Sequence, residues 1–160
     1  MFTYTKLEKT SLEEFYSGVA TQAAHLVEGE PNLIANLSNI SALLNMHLAD
    51  INWVGFYLWD DAANELVLGP FQGKPACIRI GYGKGVCGTA IMTGEPTVVP
   101  DVFEFEGHIA CDPLSRSEVV VPLFKDGATV GVLDVDSPIP GRFSNEDAVG
   151  LKRVVQALGF

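Results

Sequence analysis

One dipeptide near the carboxyl end constrains the fold more than any other feature of this chain. The step Asp126-Gly127 separates two β-rich runs, SEVVVPLF and TVGVLDVDS, and an Asp-Gly step in that setting is a strong signal for a β-hairpin. A second pair of runs, INWVGFYLW and ELVLGPF, flanks the polar segment DDAAN and indicates another antiparallel hairpin. The sequence therefore predicts an antiparallel sheet.

Helical periodicity appears before, between and after these strands. Ser11 and Glu14 form a capping-box pattern ahead of one amphipathic run, and Asn32 is a fair cap for a second. In GYGKGVCGTAIMTGE, glycines lead into a short helix that ends at Gly94, and a last helix is capped at Ser144. ACIRI and PTVVP add short strands. We expect one α+β domain over residues 1–160, with helices packed on one face of the antiparallel sheet and a loop-built pocket on the other.

Composition excludes several classes of function. Twenty acidic against ten basic residues give a net charge of -10, which repels phosphate backbones, so nucleic acid is not an expected partner. No apolar run approaches the roughly 20 residues that cross a bilayer, and the first residues lack the features of a signal peptide. We therefore expect a cytoplasmic protein with no membrane partner, where thiols stay reduced and three cysteines do not indicate a structural disulfide framework.

The three cysteines all border the predicted pocket. Cys87 falls in the first turn of the short helix, where the helix dipole favours a thiolate or a bound carboxylate. Cys111 lies three residues after His108 in the long loop DVFEFEGHIACDPLSRS, and an accessible loop thiol suits redox turnover. Two alternatives stay open. The cysteines, including Cys77, could be inert buried groups, or they could join His108 in a zinc tetrad, which the absence of a C-x-x-C pair disfavours.

Three acidic residues form a second candidate group. Asp134 and Asp136 are two residues apart on one strand and so project from the same face, and Glu118 opens the preceding strand of the hairpin. Acids on an apolar strand need a cation or hydrogen-bond donors, which a ligand ammonium would supply. The alternative is that all three are solvated acids at strand ends.

Aromatic residues complete the predicted pocket. Trp53 and Tyr57 share one face of a strand, and Gly55 between them leaves room for a small ligand. A cation or a methylthio group packs well on such rings. The alternative is that both rings belong only to the core.

Several of these runs resemble the free methionine-R-sulfoxide reductases, a family built on the GAF fold. The resemblance covers INWVGFYL, LGPFQGKPACIRI, GKGVCGTA, GHIACD, SEVVVPLF and GVLDVDSP. It implies that Cys111 is the catalytic cysteine and that Cys77 or Cys87 resolves it. The substrate-binding positions implied by the resemblance are Trp53, Tyr57, Glu118, Asp134 and Asp136.

The resemblance also implies a mechanism. A Cys111 thiolate attacks the sulfoxide sulfur of free methionine sulfoxide while an acid protonates the leaving oxygen, which gives methionine and a sulfenic acid. A second thiol forms a disulfide that a thioredoxin-like dithiol reduces, with no metal or organic cofactor. Preference for the R epimer and a possible homodimer rest on the resemblance alone. The competing hypotheses are a GAF sensor that binds a small ligand without turnover and a zinc-binding structural domain.

Overall fold

The computed structural model describes residues 2–3, 5–7 and 11–160. Within them, four α-helices accompany one six-stranded antiparallel sheet with the strand order β3-β2-β1-β6-β5-β4. The helices are α1 (Leu12–Val27), α2 (Leu33–His47), α3 (Gly85–Thr93) and α4 (Asn145–Val155). The strands are β1 (Trp53–Asp60), β2 (Glu65–Gly73), β3 (Arg79–Gly81), β4 (Thr97–Val99), β5 (Ser117–Lys125) and β6 (Ala128–Ser137). No helix in these residues has the length and apolar character that a bilayer span requires.

The predicted helix ends are confirmed by their capping contacts. The Ser11 side chain accepts a hydrogen bond from the Glu14 amide, and Asn32 does the same for α2. Gly94 ends α3 in the left-handed conformation, which costs glycine no steric strain. Ser144 begins α4 with a reciprocal capping box. These local contacts fix where each helix starts or stops.

Both predicted hairpins are present. Asp126 and Gly127 have φ values of 52° and 79°, and positive φ at both central residues is typical of the type I′ turn that joins β5 to β6. Strand β1 pairs with β2 on one side and with β6 on the other. The register of β1 against β2 shifts between Gly55 and Tyr57. The two hairpins therefore place β1 and β6 at the centre of the sheet.

The sheet separates two apolar clusters. Helices α1, α2 and α4 cover one face, where Val54 and Phe56 of β1 are fully buried. The expectation that the helices pack on one face of the sheet is confirmed for α1, α2 and α4. The short α3 packs on the opposite face, where its residues Val86 and Ile91 join Trp53 and Tyr57. Because α3 is apolar around most of its circumference, it can be buried between the sheet and the long loop.

Candidate active site

A pocket opens on the α3 face of the sheet, between α3, the β2–β3 loop and the loop before β5. The pocket and the open solvent space at its mouth together measure about 520 Å³. Every site residue predicted from the sequence except Cys77 contributes to its lining: Trp53, Tyr57, Cys87, Cys111, Glu118, Asp134 and Asp136. The fold therefore brings together side chains from three strands, one helix and one loop.

A disulfide bond joins Cys77 to Cys111 at the edge of this pocket, with 5.5 Å between the two Cα atoms. The expectation that Cys77 lies on a strand is wrong, because β3 begins only at Arg79 and Cys77 belongs to the preceding loop. The hydroxyl of Tyr57 donates a hydrogen bond to the Cys77 carbonyl oxygen at 3.1 Å. Tyr57 thus ties the loop that carries one cysteine to the central strand of the sheet.

The third cysteine is in a different state. Cys87 is a free, buried thiol in the first turn of α3. Desolvation raises its pKa well above the ordinary value, and the neighbouring acids Asp134 and Glu118 raise it further. Of the two roles expected at this helix start, a thiolate or a bound carboxylate, burial and the negative neighbours disfavour the thiolate. Cys87 is a protonated group inside the pocket and lies outside the disulfide.

The three acids form one cluster, in which Glu118 and Asp134 are buried and Asp136 is half-buried. Glu118 on β5 lies directly opposite Asp136 on β6, and Asp134 projects from the same face. Glu118 is only 5% exposed and Asp134 only 6%, so the alternative of solvated strand-end acids is wrong. Burial raises the pKa of all three carboxyl groups, and each pKa is raised further by a carboxyl neighbour. Carboxyl groups this close cannot all be ionised without a compensating cation.

One oxygen of this cluster lacks a partner. Among the described residues, Asp134 Oδ1 is a buried atom with no hydrogen-bond partner. One carboxylate oxygen of Asp134, one of Glu118 and the Cys87 sulfur all lie within 4.8 Å of one another. A buried acceptor without a donor costs free energy. The cluster therefore presents an unpaired acceptor oxygen to the pocket.

Aromatic rings on β1 lie beside the acids, because Trp53 pairs directly with Asp136 on β6. The Trp53 ring stacks against Tyr57 at 5.8 Å between centroids and against Phe71 at 5.2 Å. Both Trp53 and Tyr57 are buried and belong to the apolar cluster, but they also line the pocket. The expectation that Gly55 leaves room for a ligand is wrong. A Cβ at Gly55 would come within 2.3 Å of Phe71 Cβ, so Phe71 fills that space.

Sequence reasoning missed the contacts that hold the Cys111 loop. Asp112, next to Cys111, accepts a hydrogen bond from the Asn52 side chain at 3.2 Å. It also lies 3.4 Å from the ammonium of Lys74, which belongs to the same loop as Cys77. Asn52 and Lys74 fall within the runs INWVGFYL and LGPFQGKPACIRI, but each matters through a contact formed only in the folded chain. Asp112 thereby links the two cysteine-bearing loops.

His108 is directed toward the acids. Its Nε2 atom lies 3.5 Å from Glu118 Oε2. Burial lowers the His108 pKa and raises the Glu118 pKa, so both shifts favour neutral partners and the contact is one between polar groups rather than an ion pair. The zinc tetrad of His108 with Cys77, Cys87 and Cys111 is wrong for this state, because two of its three sulfurs are bonded to each other.

The fold and the pocket are those of a GAF domain, and the GAF domain family model matches residues 32–160. The free methionine-R-sulfoxide reductase of Escherichia coli (strain K12) is 50% identical over 91% of this chain and 87% of its own length. The enzyme of the same name from Saccharomyces cerevisiae is 43% identical over 91% and 84%. The structure of free methionine-R-sulfoxide reductase from Neisseria meningitidis in complex with its substrate superposes with a TM-score of 0.94, at 44% identity over 99% of this chain and 93% of that one. The chain belongs to the free methionine-R-sulfoxide reductase family.

Proposed function

We propose that this protein reduces the R-sulfoxide of free methionine to methionine with its own cysteine thiols. The observation that carries the proposal is the Cys77–Cys111 disulfide at the edge of a pocket that also contains a buried acid cluster. A disulfide in that position is the expected end point of a thiol-dependent reduction. Membership of the reductase family supports the same assignment.

The acid cluster explains recognition of a free amino acid. The substrate ammonium would pair with Asp134 Oδ1 and with the neighbouring carboxylates of Glu118 and Asp136, which removes their mutual repulsion. A methionine sulfoxide inside a protein has an amide in place of the ammonium, and that amide would leave the cluster uncompensated. The methyl and methylene groups would pack against the Trp53 and Tyr57 rings. The pocket thus favours the free amino acid over a peptide.

The redox chemistry uses Cys111 and Cys77 in turn. The Cys111 thiolate attacks the sulfoxide sulfur, and the sulfoxide oxygen passes to Cys111 with one proton, which gives methionine and a sulfenic acid. The Cys77 thiol then attacks the Cys111 sulfur, water leaves, and the disulfide forms. Cys111 is assigned as the first nucleophile because it lines the pocket, whereas Cys77 does not. Cys87 takes no part in this pair.

The acid cluster also supplies the proton that the departing sulfoxide oxygen takes up, because its carboxyl groups have raised pKa values. Burial raises the pKa of all three crowded carboxyl groups and their mutual repulsion raises it further, so both effects favour the neutral form. A neutral carboxyl group is the general acid that the departing oxygen requires. One cluster therefore holds a cationic substrate through its ionised members and donates a proton through a neutral one.

Turnover requires an external reductant. A thioredoxin-like dithiol in the cytoplasm would regenerate both thiols, and residues 1–160 would act as a single domain without a metal or organic cofactor. The packing of α1 into the same apolar cluster as α2 and α4 supports the single domain. A homodimer stays a prediction that sedimentation of the purified chain tests.

The decisive experiment gives the purified, reduced protein racemic free methionine sulfoxide and dithiothreitol. Chiral chromatography then follows each epimer. We expect loss of the R epimer and an equal gain of methionine. Binding of the sulfoxide without loss of either epimer would refute catalysis and would favour a GAF sensor.

A further inference from the structure

We propose that the pocket is also a zinc site, in which Cys87, Asp134 and Glu118 bind one Zn²⁺ ion and thereby exclude the amino-acid substrate. The site differs from the three-cysteine tetrad considered above, because it uses the single thiol that stays outside the disulfide. Only the competition with substrate rests on the proposed function. The ion binding itself stands on the geometry of the pocket.

The ligand atoms are already assembled. The Cys87 sulfur and one oxygen each of Glu118 and Asp134 lie within 4.8 Å of one another, and the sulfur is 4.0 Å from Glu118 Oε1. Zinc takes thiolate and carboxylate ligands at about 2.0–2.3 Å, so small side-chain movements would close the three atoms around one ion. His108, whose Nε2 atom is 3.5 Å from Glu118 Oε2, is a further nitrogen donor at the edge of this group.

A second observation points to a missing partner. Asp134 is about nine-tenths buried or more, with 6% of its surface exposed, and its Oδ1 atom has no hydrogen-bond partner among the described residues. A divalent ion would satisfy that oxygen and neutralise the adjacent carboxylates. Binding replaces the Cys87 S–H bond with a zinc–sulfur bond and releases the thiol proton to solvent.

The site has two consequences for activity. Because Cys87 is free while Cys77 and Cys111 are joined, zinc can bind the oxidised protein as well as the reduced one. Because the same carboxylates are assigned to the substrate ammonium, zinc and methionine sulfoxide cannot occupy them together. Zinc is thus a competitive inhibitor whose site does not depend on the redox state of the catalytic pair.

Cobalt substitution of the oxidised protein tests the site directly. In this form Cys87 is the single thiol of the chain, so a near-ultraviolet sulfur-to-cobalt charge-transfer band identifies a Cys87–metal bond. We expect one Co²⁺ ion per chain, displacement of that ion by Zn²⁺, and loss of the band when methionine sulfoxide is added. Cys87→Ser should abolish the band, and Asp134→Asn should weaken zinc binding by about tenfold or more.

His25→Gln is the matched control for binding at the surface, since His25 is exposed on α1. This variant should bind both metals as the parent chain does. Absence of the band in the parent chain would overturn the proposal, as would zinc affinity unchanged by both Cys87→Ser and Asp134→Asn. Circular dichroism of each variant separates loss of a ligand from loss of the fold. A protein that binds cobalt through sulfur but reduces no sulfoxide would refute the proposed function and leave the metal site standing.

Discussion

Replacement of Asp134 by Asn tests whether the buried acids recognise the substrate ammonium. The substitution keeps the side-chain volume and removes one negative charge from a site where Oδ1 has no other partner. A hydrogen bond to a charged group contributes about 1.5–3 kcal/mol. We therefore expect kcat/KM for free methionine sulfoxide to fall by about ten- to hundredfold, since each 1.4 kcal/mol is a factor of about ten.

The same variant should behave differently toward a blocked substrate. N-acetylmethionine sulfoxide has no ammonium, so the parent protein should reduce it slowly and Asp134→Asn should slow it little further. The comparison is a double-perturbation cycle, in which the two changes are coupled only if Asp134 contacts the ammonium. Glu106→Gln is the matched control, because Glu106 is an exposed acid of the Cys111 loop. Glu106→Gln should leave the rates of reduction of free methionine sulfoxide and of N-acetylmethionine sulfoxide unchanged.

Stability measurements complete this test. The folded-state pKa of Asp134 is raised above its ordinary value of 3.8, so the folded protein binds more protons than the unfolded chain above that pH. Its burial therefore destabilises the fold increasingly as pH rises above about 4, until the folded pKa is reached. Asp134→Asn should accordingly gain stability relative to the parent chain as pH rises. Unchanged kinetics, or a variant less stable at neutral pH, would contradict the reasoning.

Three further predictions address the cysteines, the aromatic wall and the Cys111 loop. Without reductant, the reduced parent chain should release about one methionine per chain, and Cys111→Ser should release none. Cys77→Ser should release one methionine and retain a sulfenic acid that dimedone labels. A full burst of methionine from Cys111→Ser would show that another residue is the nucleophile. Gly55→Ala should lower the free energy of unfolding by about 1–3 kcal/mol through the clash with Phe71, as measured by denaturant titration. Gly81→Ala, which meets no atom closer than 3.4 Å, is its control. Asn52→Ala should slow disulfide formation in stopped-flow measurements more than it lowers the melting temperature, because it releases Asp112 from one of its contacts.

The features that sequence predicted well are those set within a few residues along the chain. The caps at Ser11 and Ser144 depend on side chains three residues from their backbone partners. The type I′ turn at Asp126-Gly127 depends on two residues that tolerate positive φ. The shared face of Asp134 and Asp136 follows from the strand period of two. Such features require no knowledge of the tertiary fold.

The missed or mistaken features depend on contacts between distant segments. Cys77 and Cys111 are 34 residues apart, and the residues alone left Cys77 and Cys87 equally available as partners. The empty space expected at Gly55 disappears because β2 brings Phe71 across from it. The thiolate, one of the two roles expected at Cys87, is disfavoured by burial and then by acids from β5 and β6, none of which the local sequence shows. Local patterns cannot specify which neighbours a folded chain supplies.

The arrangement of the three cysteines follows from their electrostatic surroundings. A catalytic thiol must ionise readily, which favours a partly exposed position at the pocket edge such as that of Cys111. Cys87 faces two acids in a buried position that keeps its thiol protonated. Burial first, and then the acids that we propose bind the substrate ammonium, therefore disfavour ionisation of Cys87. Because burial is the largest cause of the raised Cys87 pKa, removal of both negative neighbours should lower that pKa only in part, and Cys87 should stay a poor nucleophile.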